Sequence, residues 1–197
     1  MRAVFVDKDG TLVTDVPFNA DPARVELTPG AAEGLRMLAE AGFGLFVVSN
    51  QSGVARGHFG EDALPAIEAR LRELLTAEGV AIEAFYWCPH HPEGAEERYA
   101  VLCTCRKPEP GLLLRAAAEH GIDLASSWAV GDILDDVGAG RRAGCRAVLV
   151  DNGGETEWVM APWRTPDYVA ADLADAARYI VRGPCVSTRG QGEGAHG

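Results

Sequence analysis

The sequence predicts an α/β fold, a doubly wound (Rossmann-like) parallel sheet with helices packed on it. Short, almost wholly apolar runs alternate along the chain with longer stretches in which apolar residues recur every three or four positions. Apolar runs of this length are typical of buried parallel strands, whereas the longer periodic stretches are typical of helices. Repeated alternation of the two indicates right-handed strand–helix–strand units, which build an open sheet of this class.

Five strands are predicted, and each is stopped by a polar residue, a glycine or a cysteine. They cover residues 3–6, 45–48, 84–87, 128–130 and 147–150. These runs lack the apolar–polar alternation of half-exposed strands, so we expect them to be buried in the sheet.

Five helices are predicted from apolar spacing and from residues that start or stop helices. Thr28 followed by Pro29 is typical of an N-cap and a first helical turn, and Gly42 ends this first helix. The second helix places leucines and an isoleucine on one face between residues 64 and 75. The other three cover residues 110–120, 136–143 and 171–181, and a glycine closely follows each.

Composition indicates a single soluble domain followed by a short tail. The chain has 197 residues, 47% of them hydrophobic, with 18 Lys+Arg against 29 Asp+Glu and a formal net charge of −11. We expect the globular domain over residues 1–182. Residues 183–197 are rich in glycine and small polar residues and lack an apolar period, so a flexible tail is expected there.

Charge and hydropathy argue against several classes of partner. Nucleic-acid binders carry a basic footprint, which this acidic chain lacks. No apolar run approaches the ~20 residues of a membrane helix, and the first ten residues already contain charges. We therefore expect a cytoplasmic monomer that acts on a small molecule rather than on nucleic acid or a membrane.

Polar residues gather where the predicted strands end. In a doubly wound sheet, ligands bind beyond the carboxyl ends of the strands, so these residues should meet in one crevice. A single acidic residue there can be no more than a helix cap, but several strand ends with carboxylate, hydroxyl or amide groups indicate a site. The residues concerned are Asp7, Asp9, Ser49, Asn50, Cys88 and Asp132.

The acidic pair at the first strand end predicts a cation site. Asp7 and Asp9 repel each other unless a proton or a cation lies between them, and Mg²⁺ prefers such hard oxygen ligands. Asp132 supplies a further carboxylate for the same cation. Lys107 precedes a helix, where its ammonium can bind an anion; the alternative is a solvated surface charge. Asp135 is interpreted as a residue that only complements the helix dipole.

Four potential zinc ligands occur as two pairs, one Cys-x-His and one Cys-x-Cys, with twelve residues between the pairs. Three thiolates and one imidazole suit a tetrahedral, structural zinc site, since four protein ligands leave no open position. The four are Cys88, His90, Cys103 and Cys105. The alternatives are ordinary buried thiols and, for the imidazole, His91. Cys145 is expected in the core and Cys185 in the tail.

Four short motifs, in this order along the chain, resemble those of the haloacid dehalogenase (HAD) superfamily of phosphohydrolases. They are D-K-D-G-T from Asp7, S-N-Q-S-G from Ser49, C-R-K-P-x-P-G from Cys105 and G-D-x-x-x-D from Gly131. Only about 40 residues separate Asp9 from Ser49, too few for the large cap domain that many members carry there. The stretches 49–57, 88–92 and 103–108 are similar to those of heptose bisphosphate phosphatases and of zinc-containing histidinol-phosphate phosphatases.

The resemblance implies a role for each motif residue. Asp7 would attack phosphorus to form an aspartyl-phosphate, and Asp9 would protonate the leaving oxygen and later activate water. Mg²⁺ would be held by the side chains of Asp7 and Asp132 and by the backbone carbonyl of Asp9. Ser49 and Lys107 would bind the transferring phosphoryl group.

Further assignments also come from the resemblance. The family's zinc pattern is Cys-x-His, which favours His90 over His91, and Asp136 would orient Lys107 or a metal-bound water. Substrate-binding residues would be Asn50, Gln51, Ser52, Arg56 and Arg106. Two arginines can clamp a second phosphate, so D-glycero-D-manno-heptose 1,7-bisphosphate is favoured over histidinol phosphate as the substrate. The group removed would be its 7-phosphate. Ile133 departs from the basic residue that is common at this position.

Two alternatives from other classes stay open at this point. A receiver-like domain also combines an acidic pair with a lysine in a doubly wound sheet, and a zinc-stapled binding module would explain the cysteine pairs without any catalysis. Release of inorganic phosphate would separate the enzyme from both.

Overall fold

A computed structural model describes residues 1–183 and confirms the predicted fold class. Six parallel strands form one sheet in the order β3-β2-β1-β4-β5-β6. The strands are β1 (Ala3–Val6), β2 (Gly44–Asn50), β3 (Ala84–Cys88), β4 (Trp128–Gly131), β5 (Arg146–Val150) and β6 (Tyr168–Ala170). The chain leaves β1 toward β2 on one side and later returns to β4 on the other, so the topological switch point lies between β1 and β4.

Among residues 1–183, six α-helices connect or flank these strands. They are α1 (Ala31–Glu40), α2 (Ser52–Ala55), α3 (Leu64–Ala77), α4 (Gly111–His120), α5 (Leu134–Ala143) and α6 (Leu173–Arg182). Short 3₁₀ turns lie at Pro22–Arg24, Glu61–Ala63, Leu124–Ser126 and Pro162–Arg164. Over the described part of the chain, no helix has the length and apolar character that a membrane span requires.

The core has two halves, one on each face of the sheet, because successive strand side chains point to opposite faces. Val4 and Val6 of β1 pack with α1, α3 and α6, whereas Ala3 and Phe5 pack with α4 and α5. Trp128 is fully buried in the first half. Helices thus cover both faces, as a buried parallel sheet requires.

Several predicted boundaries were wrong. Thr28 does not cap α1, which begins at Ala31 after Gly30; the Thr28 hydroxyl instead donates to the Thr11 carbonyl at 2.6 Å. Helix α5 begins two residues earlier than predicted, at Leu134. Strand β6 was not predicted, because it is only three residues long at the sheet edge and only Ala170 of the three is buried. The flexible tail and Cys185 concern residues 184–197, which lie outside the described residues.

Candidate active site

Lys107 lies buried between two carboxylates at the switch point. Its ammonium pairs with Asp7 Oδ1 and with Asp136 Oδ1, the latter at 2.5 Å, and donates to the Val48 carbonyl at 2.9 Å. Only 4% of the Lys107 side chain is exposed, so the surface-charge alternative is wrong. Asp7 is fixed in turn by its own N–H, which donates to the Val130 carbonyl at 2.9 Å and ties the end of β1 to β4.

This burial shifts the pKa values of both partners. Burial disfavours the Lys107 ammonium, but the carboxylates of Asp136 and Asp7 outweigh that penalty and raise the Lys107 pKa above its ordinary value. Burial also raises the pKa of Asp7; Lys107 opposes this shift, and the carboxylates of Asp136, Asp132 and Asp9 reinforce it. The group of charges therefore holds more negative charge than one lysine neutralises.

The excess negative charge is concentrated in a buried carboxylate cluster. Carboxylate oxygens of Asp7, Asp132 and Asp136 lie within 4.8 Å of one another. Burial, followed by the neighbouring Asp136, raises the pKa of Asp132 to about 6, although the Thr11 hydroxyl donates to Asp132 Oδ1 at 3.2 Å. Hard oxygen ligands in mutual repulsion are the donor set that suits Mg²⁺, so the residues fit this ion.

Asp9 is oriented differently from Asp7. Its carboxylate pairs with Lys8 and accepts a hydrogen bond from Gln51 Nε2 at 2.9 Å, and it lies outside the carboxylate cluster. The same Gln51 nitrogen donates to Ser49 Oγ at 2.8 Å, so three residues singled out in the sequence form one polar chain. The Asp9 side chain is 31% exposed and borders the open part of the site.

Two cavities meet at Asp9. The inner one is lined by Asp7, Asp9, Asp15, Asn50, Lys107, Asp132, Ile133, Asp136 and Gly154. The outer one, of about 270 Å³, is lined by Lys8, Asp9, Asp15, Val16, Pro17, Phe18, Asn19, Asn50, Gln51, Ser52, Gly53 and Phe59. A phosphoryl group in the inner cavity and its leaving group in the outer one would therefore both lie next to Asp9.

The other predicted substrate-binding residues divide into two groups. Gln51 and Ser52 line the outer cavity, together with Asn50, whose side-chain amide is bonded to the backbone of Lys107. Arg56 and Arg106 do not line this cavity. They converge instead near His91, where Arg56 Nη2 lies 3.2 Å from His91 Nε2. Burial is the main cause that lowers the His91 pKa, and the positive charges of Arg106 and Arg56 lower it further.

The four cysteine and histidine residues of the predicted zinc loop form one cluster. The Cys105 thiol lies 3.1 Å from that of Cys88 and 3.3 Å from that of Cys103, and His90 Nδ1 lies 3.3 Å from Cys105 Sγ. A tetrahedral zinc with bonds of about 2.3 Å to sulfur would have edges of about 3.8 Å, near these separations. His91 points away from the cluster, and its Nδ1 accepts the Glu93 N–H.

The zinc ion fits this cluster chemically as well. Burial raises the pKa values of Cys88 and Cys105, so without a cation these thiols would stay protonated. Zinc binding favours thiolates and would offset that burial penalty. Cys145 lies apart, buried in the second half of the core as predicted.

A segment that follows β5 borders the site and was not predicted from the sequence. Asn152 Nδ2 donates to the Gly10 carbonyl, and Glu155 Oε2 accepts the Leu134 N–H at 2.6 Å. These bonds tie the segment to the loop after β1 and to the start of α5. The predicted strand at 147–150 also ends in polar residues, a signal that would have pointed to Asn152.

The fold and this site define the class of the protein. Paired aspartates after β1, a buried lysine before α4 and an acidic cluster at the switch point, in a sheet without a large inserted cap, are the features of a HAD-type phosphatase. Residues 104–176 match a family model described as HAD-hydrolase-like.

Curated relatives match almost the whole chain. A D-glycero-D-manno-heptose-1,7-bisphosphate 7-phosphatase of Thermosynechococcus vestitus is 40% identical over 185 residues, which cover 90% of this chain and 94% of the relative. A D-glycero-beta-D-manno-heptose-1,7-bisphosphate 7-phosphatase of Escherichia coli strain K12 is 36% identical over 178 residues, covering 90% and 93%. The chain belongs to this family of HAD phosphatases, and the expectation of an enzyme that hydrolyses a phosphate ester is confirmed.

A solved structure supports the same assignment. The D,D-heptose 1,7-bisphosphate phosphatase of B. bronchiseptica, crystallised with magnesium and phosphate, is 31% identical with a TM-score of 0.75. The match covers 92% of this chain and 99% of that one. The receiver-like and binding-module alternatives are therefore set aside.

Proposed function

We propose that this phosphatase removes the 7-phosphate from D-glycero-D-manno-heptose 1,7-bisphosphate, releasing inorganic phosphate and the heptose 1-phosphate. The observation that carries the chemistry is the buried Lys107 ammonium between Asp7 and Asp136, beside the carboxylate of Asp132. The activity of the curated relatives, which are heptose-1,7-bisphosphate 7-phosphatases by name, supports the choice of sugar.

In the first step, a carboxylate oxygen of Asp7 attacks phosphorus and the bond between phosphorus and the sugar oxygen breaks. Asp9 protonates that oxygen as it leaves, which is favoured by the position of its carboxylate between the two cavities. The product is an aspartyl-phosphate on Asp7, so one hydrolysis is split into two transfers.

In the second step, water replaces the aspartyl oxygen on phosphorus. Asp9, now ionised, accepts a proton from this water, and Asp7 regains its carboxylate as phosphate departs. The Lys107 ammonium and the Ser49 hydroxyl stabilise charge on the phosphoryl oxygens throughout. Asp136 is a positioning residue here, since its pairing holds the ammonium beside Asp7.

Mg²⁺ would be held by the side chains of Asp7 and Asp132 and by the backbone carbonyl of Asp9. When bound, the ion neutralises charge on the phosphoryl group and orients it. The raised pKa values of Asp7 and Asp132 support a cation at this position, because each carboxylate is buried beside another.

Zinc would have a structural role, bound by Cys88, His90, Cys103 and Cys105. The loop between these pairs contains prolines, a glycine and many charged residues and packs little core of its own. A closed four-ligand site would fix this loop and, with it, Arg106, which follows the last ligand.

Arg56 and Arg106 would bind the phosphate that is not transferred. Both guanidinium groups lie near His91, and Arg106 lines a cavity that also includes Lys107. Two neighbouring guanidinium groups favour a bisphosphate as substrate, because together they can bind a second phosphate. Histidinol phosphate carries an amino group, which two arginines would repel.

Phosphate release over a panel of substrates tests this proposal. The panel contains both anomers of the heptose 1,7-bisphosphate, heptose and hexose monophosphates, and histidinol phosphate. We expect the highest kcat/KM for a heptose bisphosphate and loss of all release after chelation of Mg²⁺. A higher kcat/KM for histidinol phosphate would overturn the choice of substrate while leaving the phosphatase chemistry intact.

Other expectations from the sequence stay predictions. These are the cytoplasmic location, the monomeric state, the lack of nucleic-acid and membrane partners, and the domain limits at residues 1–182.

A further inference from the structure

The loop after β1 contains an unusual backbone conformation at the rim of the outer cavity. Phe18 has φ +53° and is the one non-glycine residue with a positive φ among residues 1–183. It is the third residue of a turn in which the Asn19 N–H donates to the Val16 carbonyl at 3.1 Å, with Pro17 second. A positive φ at this position is typical of a type II turn, where glycine is the ordinary residue. A bulky side chain held there is a strained arrangement that points to function.

The Phe18 ring is held by one specific contact. It stacks on the imidazole of His58, with ring centroids 4.0 Å apart and planes 18° apart. Phe18 belongs to the loop after β1 and His58 to the loop after α2, and both residues are exposed. Core packing therefore does not impose the stack, which joins two separate loops at the edge of the outer cavity, since Phe18 lines the cavity and His58 precedes Phe59, another lining residue.

The cavity behind this stack has the character of a sugar site. Asp9, the proposed acid for the leaving oxygen, lies at its inner end. The rings of Phe18 and Phe59 supply apolar surface, and the side chains of Gln51 and Ser52 supply hydrogen-bonding groups beside them. Apolar walls with a few placed polar groups are typical of small-molecule sites.

We propose that Phe18 is a specificity-determining residue, whose ring, fixed by stacking on His58, closes the outer cavity over the sugar that leaves from phosphorus. Its strained turn aims the ring at the cavity, and the stack keeps it there. Small leaving groups that do not reach the ring gain nothing from it. This inference rests on the proposed function only in placing the leaving group beside Asp9.

The test compares two substrates in each variant. One is the sugar phosphate with the highest kcat/KM in the substrate panel, and the other is acetyl phosphate, whose leaving group is too small to fill the cavity. For Phe18→Gly and His58→Ala, we expect the ratio of the sugar kcat/KM to the acetyl phosphate kcat/KM to fall by about tenfold or more. His58→Phe, which keeps a ring for stacking, should retain most of the ratio.

Thermal unfolding separates specificity from loop stability. Glycine suits the positive φ, so Phe18→Gly should not lower the midpoint of unfolding. The matched control is His120→Ala, which removes another histidine ring packed against a phenylalanine, Phe46, with centroids 4.9 Å apart and outside both cavities. This control should leave the ratio unchanged.

Several results would overturn the inference. An unchanged ratio in Phe18→Gly, or an equal loss on both substrates with a lower unfolding midpoint, would make Phe18 a structural residue. A His58→Phe variant as impaired as His58→Ala would refute the stacking role. If the wild type prefers a sugar other than the heptose bisphosphate, the proposed substrate falls, but the ratio still tests Phe18.

Discussion

The side chain of Asn50 is hydrogen-bonded to both the N–H and the carbonyl of the Lys107 backbone. The Asn50 side-chain nitrogen Nδ2 donates to the Lys107 carbonyl at 3.1 Å, and Asn50 Oδ1 accepts the Lys107 N–H at 3.0 Å. Asn50 ends β2, whereas Lys107 lies in the loop before α4, so this pair fixes the lysine relative to the sheet. The resemblance assigned Asn50 to substrate binding, but its side-chain amide is bonded to the backbone of the loop before α4.

Asn50→Ala should therefore impair chemistry through Lys107. Losing two partly buried hydrogen bonds should lower the free energy of unfolding by about 1–3 kcal/mol. We expect kcat to fall by about ten- to a hundredfold, measured by phosphate release. Asn50→Asp keeps the acceptor for the Lys107 N–H but sets a carboxylate oxygen against the Lys107 carbonyl, so it should not restore kcat. A rise in KM at unchanged kcat would instead support direct substrate binding by Asn50.

Asp7→Asn should abolish turnover and leave the fold intact, because it removes the proposed nucleophile without changing volume. A loss of at least about a thousandfold in kcat is expected, with circular dichroism as the check on folding. Asp9→Asn should slow both steps and let phosphoenzyme accumulate if its breakdown is the more affected, which intact-protein mass spectrometry detects. Near wild-type rates for Asp7→Asn would end the covalent mechanism.

Metal analysis should find about one zinc per chain in freshly purified protein. This zinc should survive mild chelation that removes Mg²⁺, since thiolate and carboxylate sites differ in softness. Cys103→Ser should lower the zinc content and the thermal stability more than it alters kcat. Cys145→Ala, which lies outside the cluster, serves as the control and should keep its zinc. Protein purified without zinc or another thiolate-bound metal would contradict the assignment.

Arg56→Met and Arg106→Met should impair hydrolysis of a bisphosphate more than that of a monophosphate. Loss of a charge-assisted contact is worth roughly 1.5–3 kcal/mol, which is about ten- to a hundredfold in kcat/KM. Arg98 lies in the zinc loop, between the two ligand pairs, and stacks on Tyr99, so Arg98→Met is a matched control. Equal losses on both substrates would place the arginines on the transferred phosphoryl group.

Gly10→Ala should damage the carboxylate cluster. Gly10 has φ +84°, and an added Cβ would lie 2.2 Å from Asp132 Oδ2. Gly121→Ala is the control, because Gly121 also has a positive φ but no atom lies within 4 Å of its added Cβ. The control should lose only about 1–2 kcal/mol of stability, whereas Gly10→Ala should lose more and also need more Mg²⁺ for activity. Similar behaviour of the two variants in a Mg²⁺ titration would show that steric contact with Asp132 is unimportant.

Much of the fold could be predicted from the sequence, because its signals are local. Apolar runs marked five of the six strands, and the glycines after α4 and α5 marked their ends. Strand β6 was not predicted, since three residues at the sheet edge are too few to form a distinct pattern. The prediction that Thr28 caps α1 was wrong, because its hydroxyl donates a hydrogen bond to the Thr11 carbonyl instead.

The candidate site divides in the same way. Short spacings such as Cys103-x-Cys105 let the sequence indicate which chemical groups lie together, and the residue types indicate which metals they suit. The same spacing was not sufficient for Asp9, which is two residues from Asp7 but lies outside the carboxylate cluster. Parallel strand order then made it predictable that Asp7 and Asp132 meet.

Only the tertiary structure decided which side chains face one another. Lys107 and Asp7 are one hundred residues apart in the chain, yet their charges pair in the interior, and the side-chain amide of Asn50 is bonded to the Lys107 backbone. The stack of Phe18 on His58 likewise joins two loops without a shared pattern. Side-chain direction depends on the packing of elements that are distant in sequence, and periodicity along one segment does not carry that information.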